Sequence, residues 1–228
     1  DRATAGRVHR YIAISQHVAR RIALYYNRQS TLVYPPVDTQ FYAPASNEAS
    51  TPVIAADNPQ FLVVSALVPY KRVDLAMMAA RHAGVGLTVV GNGPERPRLE
   101  KLVGDGVRLL GWQADEEIRE LYRTSTATIL PGEEDFGIVP VEAQACGRPV
   151  VALGRGGALD TVLDGETGVL FPETTVESLA EGLKRAAALP WDTARIRAHA
   201  ERFSRERFVA EMRQVVDDTL AAPAGHRW

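Results

Sequence analysis

Residues 61–94 read FLVVSALVPYKRVDLAMMAARHAGVGLTVVGNGP, and two periodicities meet in them. The run at 61–65 is apolar almost throughout, as a strand buried on both faces must be, and a helix is expected from about 71 to 82. A second apolar run at 87–90 is the next strand, followed at once by Gly91-Asn92-Gly93-Pro94. Strand, helix and strand in about 30 residues is the unit from which parallel sheets are built.

The unit repeats outward. Further strands are expected at 107–110, 127–130, 149–152 and 169–170. Between them, helices should open at Pro94, run over 115–122, pass through Glu142 and lie near 159–163. Upstream, 11–14 reads as a short strand and Ser15 as the N-cap of a helix carrying Val18, Ile22 and Tyr25 or Tyr26. A strand at 31–34 is stopped by Pro35-Pro36. The last third is helical, with Val176, Leu179 and Leu183 on one stripe and Phe208, Met212, Val215 and Val216 on another. The expected fold is therefore α/β: a doubly wound, Rossmann-like parallel sheet with C-terminal helices. Pro44, Ser46, Ser50, Pro52, Asn58 and Pro59 mark 35–60 as a linker or surface loop between a first segment, 1–34, and the main domain, 61–220. Residues 221–228 read as a loose tail.

Composition narrows the function classes. The chain has 228 residues, 46% of them hydrophobic and 24% charged, ordinary for a globular protein. Its 26 Lys+Arg against 28 Asp+Glu leave a net charge of −2, no basis for a nucleic-acid or polybasic membrane partner. No apolar run approaches the ~18–20 residues that span a bilayer, so the expectation is a protein without a transmembrane segment. One cysteine cannot form an internal disulfide and five scattered histidines make no zinc pattern. Cys146 reads as a small buried filler, and His9, His17, His82, His199 and His226 as surface or packing residues. A reducing, cytoplasmic compartment is expected. The polar start at Asp1, without a methionine, suggests a piece of something longer.

Doubly wound sheets bind ligands at the carboxyl ends of their strands, so the loops after strands are the place to search. Gly91-Asn92-Gly93 resembles a dinucleotide fingerprint, but Arg96 stands where the third glycine belongs. A tight turn and a ligand loop both fit it. No G-x-x-x-x-G-K-[ST] occurs, and no Asp-x-Asp is present to hold a metal on a diphosphate. The stretch 131–147, PGEEDFGIVPVEAQACG, says more. Pro140 is tolerated only in a first helical turn, so a helix should start near 137–139, with Gly147 capping its end. Glu142 is the only charge inside it, and a lone carboxylate in so apolar a helix needs donors or a proton. Ligand hydroxyls or a structural arginine could serve. Glu134 lies eight positions earlier, before amides of Phe136, Gly137 and Ile138 at a positive helix end. Carboxylates beside an anion-friendly helix start suit a ligand with both hydroxyls and phosphate, although Glu133-Glu134-Asp135 also reads as a solvated loop.

Glu134 and Glu142, with Phe136-Gly137-Ile138 between them and Ala143 after, resemble the signature of retaining glycosyltransferases of family 4, which have the GT-B architecture of two Rossmann-like halves. Four more segments share the resemblance: Tyr34-Pro35-Pro36-Val37-Asp38, Val68-Pro69-Tyr70-Lys71-Arg72-Val73-Asp74-Leu75, Leu110-Gly111-Trp112 and Gly156-Gly157-Ala158-Leu159-Asp160. Together they span nearly all of 10–220. The resemblance implies that Lys71 binds the leaving diphosphate and that Glu134 sits against the transferred sugar, these two being the catalytic candidates. It further implies that Ser65, Phe136, Gly137 and Ile138 line the donor site, that Glu142 accepts from the ribose hydroxyls, and that Gly111 and Trp112 lie near the base. For Trp112 a plain core aromatic is the alternative, and for Lys71 a solvent-facing lysine. Many relatives carry Gly-Arg where Ser65 and Ala66 stand here, so a second phosphate cation is missing. Either Lys71 and the helix N-terminus suffice, or another cation substitutes, with Arg72 and Arg155 the candidates and Arg72 the more structural of the two. Asp160 stands where relatives often carry Glu.

Family members are about twice this length, so the chain would hold the donor half and, in 1–34, only the end of the acceptor-side half. The implied function is the nucleotide-sugar-binding portion of a retaining, metal-independent hexosyltransferase without a cofactor. The acceptor would be a glycan or lipid-linked molecule, and the inner face of the membrane is the alternative to the open cytoplasm. The segment PYKRVDLA favours GDP-mannose as donor and bacterial polysaccharide synthesis as the setting. A phosphorylase or synthase of the same architecture and a non-catalytic nucleotide-sugar-binding module are the alternatives.

Overall fold

The computed structural model describes residues 2–45, 58–223 and 226. The chain opens with α1 (Arg2–Ala5), β1 (Tyr11–Ala13), α2 (Gln16–Tyr26) and β2 (Ser30–Leu32). It continues through β3 (Gln60–Val64), α3 (Val73–Ala83), β4 (Gly86–Val90), α4 (Arg96–Glu100), β5 (Val107–Gly111) and α5 (Asp115–Thr124). Then follow β6 (Ala127–Leu130), α6 (Ile138–Ala145), β7 (Val150–Leu153), α7 (Ala158–Thr161) and β8 (Gly168–Phe171). The helices α8 (Val176–Ala188), α9 (Thr193–Ala200) and α10 (Arg205–Ala221) complete it. Among the described residues, β3 to β8 form one parallel sheet in the order β5-β4-β3-β6-β7-β8, and β1 pairs with β2 in a small parallel sheet. The doubly wound α/β expectation holds.

Apolar strands follow from this layering. Phe61, Val63, Leu87, Val89, Ile129, Val151 and Phe171 point to the face covered by α3 and α8, in one buried cluster. Their alternates, Leu62, Val90, Leu130, Val150 and Ala152, point to the face covered by α5, α6 and α9. Successive side chains leave opposite faces, so a sheet covered twice has no polar face. Burying one such side chain fully is worth about 1.5–3 kcal/mol.

Several boundaries differ from expectation for physical reasons. The helix expected at Pro94 begins at Arg96, with Pro97 in its first turn. Starting at Pro94 would put Pro97 at the fourth helical position, where its missing N–H and its ring both cost. Lys71 is not in a helix: it ends a 3-10 turn, Pro69–Lys71, and Arg72 takes a left-handed φ of 52° before α3 starts at Val73. Ser15 does cap α2, accepting from the Val18 N–H at 3.1 Å. On α10 only Val215 of the expected stripe is buried, and Val216 is exposed.

Residues 35–45 are docked on the main unit. Val37 and Tyr42 are buried, the Val37 N–H donates to the Phe203 carbonyl, and Arg197 and Arg123 donate to the carbonyls of Thr39 and Ala43. Residues 46–57 of the expected linker and 224, 225, 227 and 228 of the expected tail lie outside the described residues. The N-terminal segment is tied to the main unit at two points. Arg10 reaches the Val215 carbonyl on α10, and the Gln16 N–H at the start of α2 donates to Asp160 at 2.7 Å.

Candidate functional site

All strand ends of the large sheet share one edge, and the strand order reverses between β3 and β6. Loops leaving these two strands run to opposite sides and open a crevice between them. Backbone packing draws the two loops together. A Cβ on Gly132, after β6, would lie 2.5 Å from the Tyr70 carbonyl oxygen, after β3, so any larger residue there would wedge the loops apart. With glycine in place, Lys71 Nζ and Glu134 Oε1 are 2.5 Å apart, their side chains 18% and 19% exposed. The Tyr70 ring lies 5.3 Å from the same ammonium, a contact that the sequence reading did not single out.

The other side of the acidic loop is held equally closely. The Gly157 N–H donates to the Glu134 carbonyl at 2.7 Å, and a Cβ on Gly157 would lie 2.6 Å from the Asp135 carbonyl. Beneath it, Phe136 stacks on Tyr34 and meets Phe203 edge-on, which fixes the backbone entering α6. Gly137 caps that helix with a left-handed φ of 89° and no side-chain cap, so the first-turn amides are presented to the cleft.

This first cleft has a volume of about 780 Å³ and brings together Ser65, Lys71, Glu134, Phe136, Gly137 and Ile138. Ala66 lines it without a charge, and its carbonyl accepts from the Ser65 hydroxyl. Neither candidate replacement cation reaches it. Arg72 pairs with Asp74 at 3.4 Å, and Arg155 is exposed and outside the lining. Among the described residues Lys71 is the one lysine or arginine lining this cleft.

His17 is not merely a surface or packing residue. Its Nε2 lies 3.8 Å from Glu133 and 3.9 Å from Asp135, and Arg21 pairs with Asp135 at 2.7 Å. The face of α2 thus answers the acidic loop, a long-range contact with no signature in local spacing. His199 is buried, with its ring against the Thr161 carbonyl, and there the packing reading stands.

A second cleft of about 520 Å³ adjoins the first, and Ile138 borders both. Glu142, Trp112, Tyr42 and Arg205 line it. Trp112 is 74% exposed, so the core-aromatic alternative fails and the ring stands on the rim. Gly111 lines neither cleft; its carbonyl accepts from the Gly91 N–H at 2.7 Å. The Gly91-Asn92-Gly93 turn serves the same local framework, since the Asn92 carbonyl accepts from the Leu67 N–H.

Glu142 finds its donor inside the protein, and it is not an arginine. The Tyr122 hydroxyl, on α5, donates to Glu142 Oε2 at 2.8 Å. Burial pushes the Glu142 carboxyl above its usual range, the Tyr122 hydroxyl pulls it back, and the Asp115 carboxylate raises it. Burial and Glu142 together push the Tyr122 phenol well above 10. Cys146, behind the same helix, is buried with its thiol pushed up to about 12, the behaviour of an inert filler. Among the described residues no group of three or more His, Cys, Asp or Glu could hold a metal ion, and no helix is long and apolar enough to cross a membrane.

Comparison with known proteins bears on this arrangement. The family model described as "Glycosyl transferases group 1" matches residues 46–206. The chain belongs to the group 1 glycosyl transferases. It is 31% identical over 219 residues to the D-inositol 3-phosphate glycosyltransferase of Saccharomonospora viridis, covering 85% of this chain and 51% of the relative. It is 34% identical over 229 residues to the protein of the same name from Geodermatophilus obscurus, covering 88% and 50%. The chain thus spans about half the length of the curated relatives it matches. Among solved structures, Anabaena Alr3699/HepE in complex with UDP superposes with a TM-score of 0.80 at 23% identity, covering 95% of this chain and 66% of that one. Sucrose-phosphate synthase from Thermosynechococcus elongatus gives 0.79 at 26% identity, covering 93% and 58%. The fold is that of a GT-B glycosyltransferase domain, in agreement with the topology above.

Proposed function

We propose that this chain is the donor-binding portion of a retaining, metal-independent family 4 glycosyltransferase that moves a hexosyl group from a nucleoside-diphosphate sugar to a glycan or lipid-linked acceptor. The observation that carries the reading is Lys71 against Glu134 at the strand-order reversal, beside the open start of α6. An ammonium has three donors; Glu134 takes one, leaving two for phosphate oxygens. Charge building on the departing diphosphate meets Lys71 and the first-turn amides, already in place before the reaction. The carboxylates of the 133–135 loop repel phosphate and suit hydroxyls, so the sugar lies toward Glu134. Departure and attack on the same face of that sugar, without metal or cofactor, are what the resemblance to retaining enzymes implies. The nucleoside runs past Ile138 into the second cleft, with its ribose at Glu142 and its base toward Trp112.

The segment PYKRVDLA supports GDP-mannose as donor and polysaccharide synthesis as the setting. A second reading has specific support: relatives named for D-inositol 3-phosphate, and a like-folded structure holding UDP, favour a UDP-linked sugar and a phosphorylated cyclitol acceptor. Calorimetric titration with GDP, UDP and ADP tests both. Tight binding of one diphosphate, unchanged by EDTA, is expected. No binding of any of the three overturns the donor-site reading, and a tenfold loss with EDTA restored by magnesium overturns metal independence. Release of hexose 1-phosphate from a glycan by inorganic phosphate would indicate a phosphorylase instead.

A further inference from the structure

We infer that Tyr122 is a positioning residue of the second cleft: its buried hydroxyl fixes one oxygen of Glu142, so that the carboxylate stays ionised with its remaining acceptor capacity available to the cleft. The inference rests on the reading of that cleft as the ribose site. Tyr122 is fully buried, on the inner side of α5, and among the described residues its hydroxyl bonds only to Glu142 Oε2, at 2.8 Å. A buried phenol needs a polar partner, and here the partner is the single charge of the apolar helix α6. The ring is held in turn: Tyr42 meets it edge-on at 5.8 Å, and Tyr42 itself meets Phe41 edge-on at 4.9 Å. Arg119, one turn before Tyr122, lies 4.6 Å over the Phe41 ring. The hydroxyl therefore has one position, and so does the carboxylate it holds.

The electrostatic consequence points the same way. Burial and Asp115 on the neighbouring helix start resist the ionisation of Glu142. Tyr42 and Cys146 also interact with it, and Asp38, Glu116 and Arg205 line its cleft, with Arg205 paired to Asp38. No arginine or lysine is paired to Glu142 among the described residues. The phenol is the donor that favours the charged form, and hydrogen bonds to a carboxylate lower its proton affinity. A neutral carboxylic acid would turn one acceptor oxygen into a donor and lose the match to a pair of ribose hydroxyls. Tyr122 touches no ligand in this scheme; it acts through Glu142.

Tyr122→Phe removes one oxygen and keeps the ring. Two readouts separate positioning from packing. In the ligand-free protein, the 13C carboxyl resonance of Glu142 should titrate at higher pH in Tyr122→Phe than in wild type. In the second readout, nucleoside-diphosphate affinity falls as pH drops through the Glu142 titration, and the midpoint of that fall should move to higher pH in the variant, with a roughly 5- to 10-fold loss near neutrality. An unchanged Glu142 titration overturns the inference, whatever the affinity does. If wild type binds no nucleoside diphosphate, the donor-site reading fails while the carboxyl titration still decides the role of Tyr122. Should Tyr122→Phe not fold, Glu142→Gln answers from the other partner. The tyrosine ultraviolet resonance Raman doublet of the buried phenol should shift on that substitution as a carboxylate acceptor is replaced by an amide, and an unshifted doublet contradicts the pairing.

Discussion

Two carboxylates eight residues apart are handled in opposite ways. Glu134, on a loop, is matched to a cation at the edge of solvent, and its place is set by glycines that let three loops touch backbone to backbone. Glu142, inside a helix, is matched to a neutral phenol in the interior, and its place is set by packed rings. The first cleft is therefore built on an ion pair in a close-fitting loop frame, and the second on a buried carboxylate–phenol pair. The difference teaches where each is fragile: the first to anything that moves its loops or screens its charges, the second to proton concentration.

Moving the loops should have the largest effect. In Gly157→Val the new Cβ meets the backbone of residues 135 and 136, which has no room to yield. A stability loss of about 1–3 kcal/mol or more is expected in denaturant titration. Nucleotide affinity should drop beyond ~100-fold, since Lys71, Glu134 and the start of α6 lose register together. The Glu142 titration should stay near its wild-type position, and a matching shift there would break the separation of the two clefts.

Removing the cation alone is next. Lys71→Ala should weaken nucleoside-diphosphate binding by ~10- to 150-fold in calorimetry, the worth of hydrogen bonds to a charged group. Its melting temperature should also fall, because the pair is only 18% and 19% exposed and Glu134 is left without its cation. Loss of stability without loss of affinity would make the pair structural.

The second cleft is probed by pH. Burial, opposed by the Tyr122 hydrogen bond and reinforced by Asp115, holds the Glu142 carboxyl above the usual carboxylate range, so the protonated form favours folding. That contribution is complete below the unfolded pKa and is lost as pH rises through the folded one. Glu142→Gln, which cannot ionise, should therefore gain in melting temperature on wild type between acid and neutral pH, by roughly 2–4 °C per kcal/mol. A constant difference across that range would contradict the burial account.

Smallest of all is Arg21→Ala, on the far side of the acidic loop. Arg21 and Asp135 are each about half exposed, and such a pair is worth about 0.2–1 kcal/mol. The substitution should leave nucleotide affinity within about twofold at moderate salt. A large loss would mean that α2, rather than the glycine contacts, positions Glu134.

The same contrast explains what could be read from sequence. Strands β3 to β8 were legible because a doubly covered sheet writes itself as apolar runs, and Pro140 and Gly147 bracketed α6 closely. Lys71 and Glu134 were legible as members of one motif set, although their direct contact depends on Gly132 meeting Tyr70, a pairing across some 60 residues of chain. Tyr122 was not legible. It sits near the end of a markedly acidic helix, and nothing in its spacing says that its hydroxyl crosses to Glu142. His17 was missed for the same reason, its partners lying on a loop more than 100 residues away. Pro94 misled because two prolines competed for one helix start, and Val216 because α10 buries a narrower stripe than its apolar residues suggest.

The central claim is that one nucleoside diphosphate spans both clefts, its diphosphate on Lys71 and its ribose on Glu142. Calorimetry with the diphosphate that binds and its 2′-deoxy counterpart, on wild type, Lys71→Ala and Glu142→Gln, tests it most directly. The deoxy compound should bind wild type ~10- to 150-fold more weakly. That penalty should persist in Lys71→Ala, where the ribose contacts remain, and nearly vanish in Glu142→Gln, where both changes remove the same partner. A Glu142→Gln protein that melts several degrees lower yet still discriminates deoxyribose in full would contradict the claim and make Glu142 a core residue.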